Sequence, residues 1–338
     1  MSQSETSSPQ ADYAAARSAA VVFDLSDRTQ IELTGADRVK FLHNFCTNDI
    51  KALKPGQGAE AFITNVQGKI VGHVFVFVGE SALWLDTVGG QSERLIAHLS
   101  RYQITEDVTF TDWSAAWAEL LVVGPQAAEV VSKLVTGSPP TRHLDHAALP
   151  VVTDVSDKLV VRRFDAFGIP AFLLAAPCDR LPRLTASVVA SGERSTAAEV
   201  FESLRIEAGL PHYGRDVTGD NFAQEANRTR QAISFKKGCY LGQEPIARID
   251  SLGHVNQELR VLRIASPSPP PPDSEVFPLD NDAKPAGRVT SSAPDFATDA
   301  GSAALAMVRR GFLNLGTQLR VRVAGQFVAA TVSPPTTS

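Results

Sequence analysis

The sequence predicts an α+β protein with mainly antiparallel sheets and a small β-barrel at its end. Three observations predict it. Helical and alternating apolar periods both occur along the chain, but not in the strict strand–helix alternation of a parallel α/β sheet. No glycine-rich phosphate loop of the dinucleotide or P-loop kind is present. Beyond a proline-rich break at Ser266–Asp273 (SPSPPPPD), the apolar runs are short and punctuated by glycine.

The elements follow in order. Thr34–Asp37 leads into a helix with Val39, Leu42 and Phe45 on one face. Lys69–Val78 and Ala82–Val88 are strand-forming runs joined by Gly79-Glu80-Ser81, the pattern of a hairpin. Ser92–Tyr102 places Leu95, Ile96, Leu99 and Tyr102 on a helical face, and Pro125 suits a first helical residue ahead of Val130, Val131 and Leu134. Leu181–Val189 and Thr196–Ile206 read as helices. The second should end on Gly209 in a left-handed conformation, with Leu210 as the apolar contact and Pro211 preventing continuation. Ala283–Ser291, Ala303–Val308, Gln318–Val323 and Gln326–Val332 are the expected barrel strands.

The chain has 338 residues and a formal net charge of −5. That length suits two domains, or three small ones, and the charge balance speaks against nucleic acid or an anionic membrane as a partner. No run of about 18 apolar residues could span a bilayer. The amino terminus has neither the apolar core of a secretory signal nor the arginines of a transit peptide. The expected layout is a disordered tail over 1–15, an α+β region over 16–265, a stiff proline linker over 266–273 and a barrel over 274–333, in a cytoplasmic protein.

Three cysteines, Cys46, Cys178 and Cys239, are too few and too scattered for a disulfide scaffold or a self-contained metal site. Cys46 and Cys178 read as packing residues. Cys239 differs, because it lies in Ser234–Asp250 (SFKKGCYLGQEPIARID), preceded by Lys236 and Lys237 and flanked by Gly238 and Gly242. Nearby cations favour thiolate, so Cys239 is the candidate reactive thiol. Gln243, Glu244 and Arg248 add an amide, a carboxylate and a fixed cation within a few residues.

The run Lys237–Glu244 (KGCYLGQE) followed by Arg248 resembles the signature of the YgfZ-type folate-binding proteins, relatives of the glycine-cleavage T-protein that act in iron–sulfur cluster assembly or repair. Other segments agree in order: Leu33-Thr34-Gly35 with Thr47-Asn48-Asp49, Asn65–Lys69, Arg205–Pro211 and Gly287–Ser291. The resemblance implies a ring-like fold of two α+β lobes plus a small barrel around a tetrahydrofolate channel. It implies that Glu207 reads the pteridine, since a carboxylate offers two acceptors to ring N–H and amino groups. It further implies folate contacts from Arg248, Lys237, Tyr240, Gln243 and Asn65, with iron–sulfur assembly proteins or client enzymes as partners. One thiolate cannot hold a cluster, so any cluster contact of Cys239 would be completed by a partner. Where the T-protein has acidic residues on the strand after its turn, one of them needed for methylene transfer, this chain has Gly72 and His73. That argues against aminomethyl transfer. The alternative is a folate-dependent one-carbon transferase acting on an unidentified amine.

Overall fold

The computed structural model describes residues 8–190, 194–196, 198–298 and 300–336. A helix, α1 (Pro9–Ser18), replaces most of what was expected as a tail; residues 1–7 lie outside the described residues. Ser8 caps it by accepting from the Ala11 N–H, and Pro9 has the fixed φ a first turn wants. Burial of Tyr13 and Ala16 in the main core holds the helix down.

The first lobe follows β1 (Val21–Asp24). It comprises β2 (Thr29–Thr34), α2 (Arg38–Phe45), β3 (Gly58–Thr64), β4 (Ile70–Val78), β5 (Leu83–Thr87), α3 (Ser92–Ser100) and β6 (Thr109–Asp112). Its antiparallel sheet has the order β3-β4-β5-β2-β6, and β4–β5 form the expected hairpin. Helices α2 and α3 cover one face through Phe41, Leu42, Leu95 and Leu99.

The second lobe comprises β7 (Trp117–Val123), α4 (Ala127–Leu134), β8 (His146–Val151), β9 (Asp154–Arg163), β10 (Ala171–Pro177), α5 (Leu181–Ala190) and β11 (Arg194–Ser195). Its sheet has the order β11-β1-β7-β10-β9-β8, so β1 belongs to it although the whole first lobe intervenes before β7. Within this sheet, only the β1–β11 pair is parallel among the described pairings. The free faces of the two sheets meet in one core that includes Phe75 and Phe77 of β4 with Phe23, Leu121, Val123 and Leu173.

A charged layer also lies in that seam. The Arg162 guanidinium donates to Gln30 at 3.1 Å, Asp86 at 3.2 Å and Glu119 at 2.5 Å, while Arg28 donates to Asp86 at 2.5 Å. Burial, then the neighbouring Asp86 charge, pushes the Glu119 carboxyl up.

Helix α6 (Ala198–Glu207) is the hub between the lobes and the barrel. It ends as expected: Gly209 has φ +65°, Gly209 N–H donates to Ile206 and Leu210 N–H to Arg205. A short α7 (Thr229–Ala232) and α8 (Gln243–Leu252) then lead to the barrel strands β12 (Gln257–Ile264), β13 (Glu275–Pro278), β14 (Gly287–Pro294), β15 (Ser302–Arg309), β16 (Gln318–Val323) and β17 (Gln326–Ser333). The barrel is closed in the order β12-β15-β14-β13-β16-β17, with β12 pairing both β15 and β17.

The expected boundary at 266–273 therefore falls inside the barrel. Gln257–Ile264 alternates, sending Leu262 and Ile264 into the barrel and Leu259 and Val261 against the α+β region. The proline segment is a loop strapped to β14, where the Ser292 hydroxyl donates to the Pro270 carbonyl at 2.5 Å.

Candidate functional site

The signature loop after α7 is built around the C-terminal end of α2. The Lys237 ammonium is buried and donates to the carbonyls of His43, Cys46 and Asn48 at 2.5, 2.7 and 2.8 Å. An ammonium has three donors, so none is left for a ligand. Thr47 Oγ1 donates to Ala232, Asn48 donates to Gln231, and Thr64 Oγ1 donates to Leu241. Tyr240 is buried with its ring 4.7 Å from the Lys237 ammonium. Asn65 closes its own turn by accepting from the Gln67 and Lys69 N–H groups.

Gly242 ties the loop to that turn. Its φ is +81°, and a Cβ there would lie 2.4 Å from the Asn65 carbonyl oxygen. Gln243 then begins α8, on which Arg248 is exposed. Cys239 is exposed and free on this anchored loop. Cys46 is buried as expected, whereas Cys178 is exposed on the turn after β10, which corrects its reading as a packing residue. Its apolar neighbours in sequence face the sheet core, but the turn at Pro177 carries the thiol out.

Glu207 lies elsewhere. Its carboxylate accepts from the Tyr13 hydroxyl at 2.8 Å and Arg17 at 2.6 Å, and from Arg263 of β12 at 3.2 Å. One acid thus joins α1, the hub and the barrel. Burial and this carboxylate push the Tyr13 phenol up to about 12.

The central cavity, about 370 Å³, opens where the two lobes meet α6. Phe75, Phe201, Leu25 and Leu210 supply its apolar walls; His73, Glu202 and His212 supply polar groups, and Asp24 and Asp27 stand exposed on its lining. Among the described residues, the His212 Nδ1 is a buried polar atom without a partner. Burial, then the nearby Arg215 and Arg205, pulls that imidazole down and so favours its neutral form. The Glu202 carboxylate accepts from Arg205 at 2.8 Å and Arg215 at 2.6 Å, and despite its burial these cations hold it below the ordinary range.

Helical geometry explains which hub residues reach the cavity. Ala198, Phe201, Glu202 and Arg205 recur at i, i+3, i+4 and i+7, one stripe of α6; Glu207 is two residues beyond, about 200° round the helix. Of the candidate residues, none of Cys239, Glu207, Arg248, Lys237, Tyr240, Gln243 or Asn65 lines this cavity; His73 does. Sequence reasoning misses Phe201 and Glu202, although that helical stripe is a signal for them, and it misses His212, which lies beyond the end of α6.

His73 is fixed from beneath. Its Nε2 is 2.8 Å from Glu60 Oε1, and Arg228 holds Glu60 with both arms at 2.8 and 2.5 Å. The ring also stacks on Phe62, with centroids 5.0 Å apart.

Comparison with known proteins agrees with this architecture. The family model of the GCVT N-terminal domain matches residues 2–237, and that of the glycine cleavage T-protein C-terminal barrel domain matches 258–337. The chain belongs to the glycine-cleavage T-protein family. It is similar to the putative transferase At1g60990, chloroplastic, of Arabidopsis thaliana, at 27% identity over 80% of this chain. That match spans only 61% of the plant protein's length. An aminomethyltransferase of Listeria welshimeri is 24% identical over 95% of this chain and 87% of its own. The crystal structure of glycine cleavage system aminomethyltransferase T from Bartonella henselae superimposes with a TM-score of 0.85 at 21% identity, covering 98% of this chain and 89% of that one. The fold is therefore the T-protein fold, with its closed terminal barrel.

Against that family frame, Gly72 and His73 divide between two faces of β4. A Cβ on Gly72 would lie 2.6 Å from Leu95 Cδ2, so a side chain there faces α3, away from the cavity. Gly72→Asp should cost roughly 3 kcal/mol or more, by overpacking and burial of an unpaired carboxylate. It should confer no aminomethyl transfer, and denaturant unfolding with a tetrahydrofolate-coupled assay checks both. Among the described residues, no helix is long and apolar enough to cross a membrane, and no group of three or more His, Cys, Asp or Glu side chains could hold a metal ion.

Proposed function

We propose that this T-protein family member binds tetrahydrofolate in the central cavity and belongs to the YgfZ-type branch. It would support assembly or repair of iron–sulfur proteins in the cytoplasm. The observation that carries the reading is His73, the cavity-facing β4 side chain where an acid would be needed, tied to the Glu60–Arg228 pair. A flat pteridine suits the Phe75 and Phe201 walls, and the unpartnered His212 nitrogen is available to it. Cys239 is exposed on a firmly anchored loop outside the cavity, which suits contact with a partner protein or its cluster more than contact with the folate.

The second reading, one-carbon transfer to or from an unidentified amine, has support in Glu202, Asp24 and Asp27. These carboxylates line the cavity and could stabilise a developing cation in place of the missing acid.

Equilibrium titration tests the folate site. Phe201→Ala should weaken tetrahydrofolate about tenfold or more, a loss of roughly 1.4 kcal/mol. Cys239→Ser should bind folate like the parent yet fail to restore iron–sulfur enzyme activities in a strain lacking the protein. Full restoration by the serine variant would refute the role of the Cys239 thiol, and undiminished iron–sulfur enzyme activities in the strain lacking the protein would refute the assembly role. Formation of 5,10-methylenetetrahydrofolate with any member of an amine panel would favour the transferase.

A further inference from the structure

A second cavity opens at the other end of the seam between the sheets, about 410 Å³ in volume. Two turns of the first lobe, Pro55-Gly56 and Gly79-Glu80, face the edge strand β8 of the second lobe across it. The His146 N–H donates to the Gly56 carbonyl, and the His146 ring Nε2 lies 3.0 Å from the Val78 carbonyl oxygen, so both lobes hold the cleft's shape.

Its walls are aromatic. Trp84 and Trp117, one from each lobe, lie half-buried with ring centroids 5.4 Å apart, and Phe77 continues the surface. Two tryptophans that contact each other at 52° leave no slot between them; they offer adjoining flat faces on which a ring can lie.

The polar groups narrow the choice. Arg162 lines the cleft, is 2% exposed, and packs over Phe77 with its guanidinium carbon 4.4 Å from the ring centroid. Its Nη1 is engaged by Gln30, Asp86 and Glu119, while its Nε–H is, among the described residues, buried without a partner. Asp86 and Glu119 already occupy the other donors that Arg162 and Arg28 turn toward them, so the free N–H calls for one further acceptor, such as a ring carbonyl. Glu80 is exposed on the rim, where its carboxylate can accept from a ring amino group.

We propose that this cleft binds an uncharged planar heteroaromatic ring carrying an oxo acceptor and an amino donor on one edge, stacked on Trp84 and Trp117 with the oxo group toward Arg162. A guanine nucleoside and a free pterin are two bicyclic sources of that edge pattern.

Tryptophan fluorescence of the full chain provides the test, with guanosine, pterin and adenosine as probes. Guanosine or pterin should quench saturably, with Kd below about 1 mM, and adenosine, which lacks the oxo group, should bind about tenfold more weakly or worse. Which of the first two binds more tightly identifies the source. Trp117→Leu should weaken the preferred probe about tenfold or more. Ala148→Phe, which fills the cleft from an exposed strand position, should do the same without disturbing the core. Unchanged unfolding midpoints show that both variants are folded.

The proposal is overturned if neither probe quenches saturably, if adenosine binds equally well, or if both folded variants bind like the parent. It is also overturned if Phe201→Ala, a central-cavity substitution, abolishes probe binding. Loss of tetrahydrofolate binding alone bears on the central cavity and leaves this result standing.

Discussion

Arg228→Ala should lower stability by about 3–5 kcal/mol, because it leaves the Glu60 carboxylate buried and uncompensated. Glu60 is 2% exposed, and Arg228 satisfies both its oxygens. Burial by itself opposes ionisation of Glu60, yet the Arg228 guanidinium, and after it His73, hold its carboxyl well below the usual range. The sign for pH follows. A carboxyl whose folded pKa is depressed stabilises the fold above its unfolded value of about 4.3, and this contribution fades as pH falls below that value. Urea unfolding at pH 7 and again near pH 3 checks it: the gap between parent and Arg228→Ala should shrink in acid. A double variant, Arg228→Met with Glu60→Leu, should recover much of the loss, since removing both charges removes the penalty. A variant equal to the parent at pH 7 would show that Glu60 finds another partner.

Lys237→Met should have the next largest effect, about 2–4 kcal/mol. It strips the donor from three carbonyls at the end of α2 while keeping most of the side chain's volume. Burial pulls the Lys237 ammonium down, but the surrounding carbonyls and the nearby Cys46 and Asp49 favour its charge. The readout goes beyond the unfolding midpoint. With the anchor gone, Cys239 on the adjoining backbone should react with a neutral alkylating reagent at an altered rate, and the change should be local. Tetrahydrofolate affinity should stay within about threefold of the parent, since Lys237 does not line the central cavity.

The sequence revealed some parts of this molecule and concealed others for identifiable reasons. The β4–β5 hairpin, the close of α6 at Gly209 and four of the barrel strands were legible because each is dictated by neighbours a few residues apart. The barrel's first strand was hidden, since Gln257–Ile264 is severed from its sisters by a proline run that looks like a domain linker and is a loop. Helix α1 looks like part of a tail because its polar, alanine-rich sequence has little periodicity; contacts between distant residues, the burial of Tyr13 and Ala16 in the core and the bonds of Tyr13 and Arg17 to Glu207, show why it is ordered. The signature loop was legible as a motif, but its lysine proved to be a clamp on α2. The cavity was not legible as a cavity, because its walls come from β1, β4, β5, α6 and the segment after α6, which meet only in the folded chain.

One topological fact governs how the molecule can be made. β1 pairs with β7, yet the complete sheet of the first lobe lies between them in sequence. During synthesis Val21–Asp24 emerges with no partner and must wait until Trp117–Val123 appears. By then the intervening lobe can have collapsed on its own contacts, so the closure joins the ends of a compact body and not those of a slack loop. The first lobe can thus form before β1 closes on β7, and that closure is the step its topology leaves for last. Slow-folding variants should map to β1, β7 and their junction sooner than to the barrel.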